Sequence, residues 1–114
     1  MVRDTRSISW IKAARRDFEK FPKGAQLEIR RALTVVAEGE KPDIAKPLTG
    51  LGSGIFEIAL KFRSDAFRAV YALQIDADIW VIHAFQKKSK TGIKTPKLEI
   101  DLVRQRLKRL KEML

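Results

Sequence analysis

Apolar residues recur along this chain with one period in its first third and another in its middle. Ile11, Ala14, Phe18 and Phe21 stand at offsets of 0, 3, 7 and 10, one face of a helix near 11–21. Phe21-Pro22 and Gly24 break the stripe. Ala25, Ile29, Ala32, Leu33 and Val36 then mark a second helix near 24–38, closed by Gly39. Two helices joined by so short a break predict an antiparallel hairpin. Before them, Ile8, Ser9 and Trp10 fit either a short first strand or the approach to a helix.

Residues 40–54 form a connector, with Lys41-Pro42, Lys46-Pro47 and glycines at 50, 52 and 54. Beyond it the period becomes two. Phe56, Ile58, Leu60 and Phe62 alternate with Glu57, Ala59, Lys61 and Arg63, and Phe67, Ala69, Tyr71 and Leu73 alternate with Arg68, Val70 and Ala72. Strands near 55–62, 67–74 and 79–86 make an antiparallel meander. Thr95-Pro96 has the form of an N-cap followed by proline in the first turn. Ile100, Val103, Leu107, Leu110 and Leu114 line a final amphipathic helix near 96–112. The fold class is therefore α+β, a single domain over residues 1–114. The helical hairpin packs on one face of the meander, since its apolar stripe has no other surface to cover.

Turn chemistry sorts the sheet into faces. A two-residue turn at Ser64-Asp65 would pair Arg63 with Ala66 and Lys61 with Arg68. A second at Asp76-Ala77 would pair Val70 with His83 and Arg68 with Phe85. One face then holds Phe56, Ile58, Leu60, Phe62, Phe67, Ala69, Tyr71, Leu73, Trp80, Ile82 and Ala84, a core face. The other holds Glu57, Ala59, Lys61, Arg68, Val70, Val81, His83, Phe85 and Lys87, and is expected to be open and basic.

Charge sharpens this picture. The chain has 114 residues with 24 Lys and Arg against 14 Asp and Glu, a net charge of +10, and a pI near 10.2. Such a balance favours a polyanionic partner, with nucleic acid ahead of a membrane surface. From Gln86 to Lys97 there are five lysines, Lys87, Lys88, Lys90, Lys94 and Lys97, and no acid. The absence of cysteine excludes disulfides and thiolate chemistry, and with one histidine no zinc site is expected. No apolar run has the length of a membrane span and the N-terminus lacks a signal-peptide core, so a cytoplasmic location and no membrane partner are expected.

The basic face suits phosphate chemistry. Arg68 offers a planar fork to a phosphate, and its loss from an open face should cost little packing. His83 can move a proton near neutral pH. Lys87 completes the candidate catalytic set, with no metal and no cofactor. Lys61, Arg63, Lys88, Lys90 and Lys94 are candidate RNA or phosphate contacts, and Phe85 could stack on a base. Each has a plain structural alternative. Lys61 suits a solvated face, His83 is equally a half-buried structural residue, and Phe85 is equally a residue covered by the last helix. Tyr71 belongs to the core. Glu57, the one acid on the face, is expected to pair with Lys61.

The segments Phe67-Arg68-Ala69-Val70-Tyr71, Val81-Ile82-His83-Ala84-Phe85-Gln86-Lys87-Lys88 and Lys94-Thr95-Pro96 carry a family likeness. With the order helix, helix, meander, helix, the chain resembles the RelE/HigB superfamily of toxins from bacterial toxin–antitoxin modules, in particular its phage-derived HigB-like branch. The resemblance implies a toxin that enters the ribosomal A site and cleaves mRNA without a metal. The 2′-hydroxyl attacks the adjacent phosphate, leaving a 2′,3′-cyclic phosphate and a 5′-hydroxyl. It implies that Arg68 serves at the phosphate and that Lys87 and Lys88 fill the basic positions after the last strand. Partners are then the ribosome, mRNA and a cognate antitoxin, commonly with a helix-turn-helix domain. Many members carry a C-terminal tyrosine; this chain has only Tyr71, and His83 and Phe85 are the candidates for its role. Two other readings share the fold: a ParE-like toxin that binds gyrase without nuclease activity, and an RNA-binding module that does not cut.

Overall fold

The computed structural model of the chain describes residues 5–87 and 94–114. The elements run β1 (Ile8–Trp10), α1 (Lys12–Phe18), α2 (Lys23–Ala37), β2 (Ala45–Pro47), β3 (Ile55–Phe62), β4 (Asp65–Ala72), β5 (Ile79–Lys87) and α3 (Lys97–Met113). The three long strands form the expected antiparallel meander, and two short strands extend it to a five-stranded mixed sheet of order β1-β5-β4-β3-β2. Ile8–Trp10 is a strand, parallel to β5. β2 arises in the connector, antiparallel to β3. It lies at the sheet edge, where Pro47 can be accommodated because no ladder bond is needed from its nitrogen.

The β3–β4 turn falls on Arg63 and Ser64, whose φ angles are 51° and 73°. Two left-handed residues make the kind of turn that matches strand twist. The pairing is therefore Lys61 with Ala66 and Ala59 with Arg68, two residues from the expected register. A shift of two preserves which side chains share a face. Between β4 and β5, Arg68 pairs with Phe85 and Val70 with His83, as expected, but the next pair is Tyr71 with Val81. The extra residue is a β-bulge, which reverses the facing of the strand beyond it. Ile79 and Val81 consequently join the helix-covered core, whereas Trp80 and Ile82 turn to the opposite face, against expectation.

Both sheet faces carry a core. On one, Phe18, Phe21, Ala25, Ile29 and Leu33 of the helical region cover Ile58, Phe67, Ala69, Tyr71 and Val81. Each large side chain removed from water here contributes about 1.5–3 kcal/mol. Gly24 lets α2 approach β3 closely, since a Cβ there would run into the Phe62 ring. On the other face α3 lays Val103, Leu107 and Leu110 over Val70, Ala72 and Ile82. The face expected to be open is thus largely roofed: Glu57, Arg68, His83 and Lys87 are all buried.

Candidate phosphate-binding site

Strands β3 and β4 bring Glu57 and Arg68 together as diagonal neighbours on the face roofed by α3. Arg68 Nη1 donates to Glu57 Oε1 at 2.6 Å. Thr95 Oγ1 donates to Glu57 Oε2 at 2.7 Å. Glu57 is 0% exposed and Arg68 6%. The expected Glu57–Lys61 pair is replaced by this buried one, because the register sets Arg68 against Ala59 and Lys61 against Ala66. Thr95 does not cap α3: that helix starts after Pro96 without a side-chain cap bond.

Cations gather around this pair. Lys87 lies opposite Ala66, and Lys46 on β2 lies opposite Glu57. Burial pulls the Lys87 ammonium below its ordinary value; the Arg68 charge adds to this, Glu57 opposes it, and Lys46 lowers it further. Lys61 is exposed at the turn end of the same face. Arg63 is exposed in the turn, with its guanidinium over the Phe62 ring, 5.2 Å from the centroid. Phe62 packs with the helix-covered core, so Arg63 is not brought to the Arg68 cluster. Lys94 is exposed ahead of α3. Lys88 and Lys90 lie outside the described residues.

His83 belongs to a second network. Its Nε2 lies 2.7 Å from Glu99 Oε1, and Arg106 Nη1 lies 2.9 Å from its Nδ1. Arginine can only donate, so Nδ1 accepts and Nε2 carries the proton given to Glu99. Arg106 also donates to the Ile82 carbonyl at 3.1 Å. Burial lowers the histidine's pKa from 6.5, the Glu99 hydrogen bond opposes this, and the Arg106 charge lowers it again. Phe85 stacks on the ring at 5.1 Å and is itself buried. The two residues expected to face substrate are thus wall residues that join β5 to α3. They border an open cavity of about 370 Å³ with Asp17, Phe21, Gln86 and Glu99.

Lys46, Thr95, Glu99 and Arg106 escaped the sequence reading. Glu99 and Arg106 had a signal: they stand four residues before and three after Val103, so polar side chains border the apolar stripe of α3. Lys46 had none, being in a segment without periodicity. Among the described residues no three acidic or histidine side chains gather as a metal-ligand set.

This arrangement of helices on a sheet is similar to that of solved RelE structures. A double-arginine mutant of Escherichia coli RelE in the free state matches with a TM-score of 0.62 and 16% identity, covering 93% of this chain and 98% of that one. The isolated E. coli RelE toxin matches with a TM-score of 0.57 and 16% identity, over 96% and 99% of the two chains. The toxin–antitoxin complex RelBE2 from Mycobacterium tuberculosis matches with a TM-score of 0.54 and 16% identity, over 75% and 94%. The family model described as "Phage derived protein Gp49-like (DUF891)" matches residues 16–108, and the chain belongs to that family. No curated protein sequence matches it. The family likeness seen in the sequence motifs holds at the level of the fold, and the family shown is phage-derived.

Proposed function

We infer that this chain is the toxin of a toxin–antitoxin pair and cleaves mRNA on the ribosome without a metal. The observation that carries the reading is the cationic cluster on one sheet face: Arg68 held by Glu57, with buried Lys87 on β5 and Lys46 on β2 at the same pair of strands. In such a reaction the 2′-oxygen bonds to phosphorus and the bond from phosphorus to the 5′-oxygen breaks. One group takes the 2′-hydroxyl proton and one returns a proton to the 5′-oxygen. Arg68, oriented by Glu57, suits the charge that builds on the phosphorane. Lys87 suits proton transfer, since its neutral amine is more accessible than that of an ordinary lysine. Lys46, Lys61 and Lys94, with Lys88 and Lys90, suit the flanking phosphates. His83, bonded at both ring nitrogens, acts here as a positioning residue between β5 and α3, and Phe85 supports it.

The histidine's double engagement also favours a second reading, a phosphate-binding module that does not cut, or a gyrase-directed toxin. Translating ribosomes separate these. Mapped mRNA 5′ ends bearing hydroxyl groups support the nuclease; ribosome binding without new ends leaves the binding module; gyrase inhibition without either leaves the ParE-like reading. The RelBE2 complex shows a RelE-like fold beside an antitoxin, which supports a cognate antitoxin here, of helix-turn-helix type on the family likeness. With a net charge of +10, acidic antitoxin residues over the Lys46–Lys87 face, or displacement of α3, would neutralise it in a salt-sensitive manner. An operon lacking any small neighbouring gene would count against the pair. Among the described residues no helix is long and apolar enough to cross a membrane; a cytoplasmic site of action follows from the ribosomal target.

A further inference from the structure

The outer surface of α3 plays no part in the chemistry above, yet it carries Arg104, Lys108 and Lys111, all exposed and spaced as one stripe. Among the described residues none of the three forms an ion pair, whereas Arg15, Lys20 and Arg31 each pair with a carboxylate three or four residues away. The stripe faces the loop at 49–54. Arg104 lies 3.5 Å from the Gly50 carbonyl. Two adjoining cavities separate helix and loop. One of about 340 Å³ is lined by Gly50, Leu51, Arg104, Leu107, Lys108 and Lys111. The other, of about 530 Å³, is lined by Gly52, Ser53, Gln74 and again Lys111, together with the apolar Ile55, Ile75 and Leu114. No acidic side chain lines either. The loop is bare: Gly50 and Gly52 have φ angles of 87° and 97°, and a Cβ on either would meet nothing. Glycine serves the left-handed backbone and leaves main chain accessible beside three cations.

We propose that this groove between α3 and the glycine loop binds the phosphate backbone of structured RNA, as a holding site separate from the Arg68 cluster. The proposal rests on the RNA-directed reading given above and extends it. The groove begins at the far end of α3, with Lys111 about 21 Å along the helix axis from Lys97. Four residues of helix rise advance the cations by about 6 Å, a step comparable to that between consecutive phosphates of a strand. RNA fits better than an acidic protein surface because the lining has no aromatic side chain to anchor a protein partner. Phosphates need only cations and main-chain donors.

The test compares the wild-type chain with the combined variant Arg104→Gln, Lys108→Gln, Lys111→Gln, whose positions are solvent-facing. Affinity for purified ribosomes and for a short RNA duplex is measured between 50 and 200 mM salt, alongside a thermal melt. Three phosphate contacts contribute a slope of about −2 to −3 in log affinity against log salt, so the variant should lose about 20- to 40-fold less affinity over that range than the wild type. Equal slopes in the two proteins, with equal melting, overturn the proposal. So does a variant that binds RNA normally but loses its antitoxin, which would make the groove a protein interface. mRNA end mapping keeps the two readings apart: cleavage with unchanged slopes sinks only the groove, and a reduced slope without cleavage sinks only the nuclease.

Discussion

Arg68 Nη1 meets Glu57 Oε1 at 2.6 Å on a sheet face where both side chains are buried. Arg68→Ala therefore costs stability as well as function. Removing one partner of a buried pair strands the other charge, a loss of about 3–5 kcal/mol. The sequence pattern, with Arg68 on an open face, pointed to a nearly free substitution; burial reverses that. Urea unfolding should show a clearly lower midpoint for Arg68→Ala, and Glu57→Gln in the same chain should restore much of it by removing the stranded charge. Growth inhibition should stay absent in the double variant, because a preorganised donor to the phosphorane is worth about a hundred- to thousand-fold in rate. An Arg68→Ala midpoint equal to wild type would contradict the burial argument.

Which side chains share a face of β3 and β4 was legible, because alternation survives a register error of two. The error came from placing the turn one residue late: Arg63 at positive φ is not what a residue scale favours. The bulge near Tyr71 was illegible, since an alternating string does not mark where an unpaired residue enters, and Val81, Trp80 and Ile82 were misassigned for that reason. The candidate site was half legible. Arg68 and Lys87 could be found from charge on one face, but Thr95 and Lys46 reach it only through the tertiary path of the chain.

Thr95 offers a test of that path. A helix cap and a buried hydrogen bond to Glu57 both predict destabilisation by Thr95→Val, of about 1–3 kcal/mol. Only the hydrogen bond predicts coupling to Glu57. In a double-mutant cycle with Glu57→Gln the two changes should be non-additive by about 0.5 kcal/mol or more, and Thr95→Ser should retain most of the stability. Additive effects would return Thr95 to a capping role.

His83 makes the fold acid-sensitive. Its neutral form donates to Glu99 and accepts from Arg106, so a proton added at Nδ1 would face the Arg106 guanidinium. Asp17 also faces the ring and partly compensates, as does Glu99. The folded pKa lies below the ordinary 6.5, so the unfolded chain binds the proton first and stability falls as pH drops below that value. Chemical denaturation between about pH 7.5 and 5, above the usual carboxylate range, should show this slope in the wild type and lose it in His83→Gln. Arg106→Met should shrink it by letting the histidine stay charged. A wild-type slope unchanged in His83→Gln would assign the acid sensitivity elsewhere.

Lys46 and Lys87 can be tested as a charge pair. Burial and Arg68 hold the Lys87 ammonium below its ordinary 10.5, and Lys46 pushes in the same direction. If Lys87 takes the 2′-hydroxyl proton, it acts as the neutral amine, and anything that raises its pKa slows cleavage at pH 7. Lys46→Met removes a neighbouring cation, so the rising limb of the pH–rate profile should move to higher pH. Below that limb the single-turnover rate should fall by about two- to five-fold, the effect of one partly screened charge. At high pH the rates should converge. Lys46→Glu should move the limb further in the same direction. The measurement is mRNA cleavage at saturating ribosome concentration across the pH range. If Lys46 instead only grips a flanking phosphate, KM rises and the limb stays where it is. A limb unmoved by both substitutions would remove Lys87 from the proton-transfer role and leave it as a binding cation.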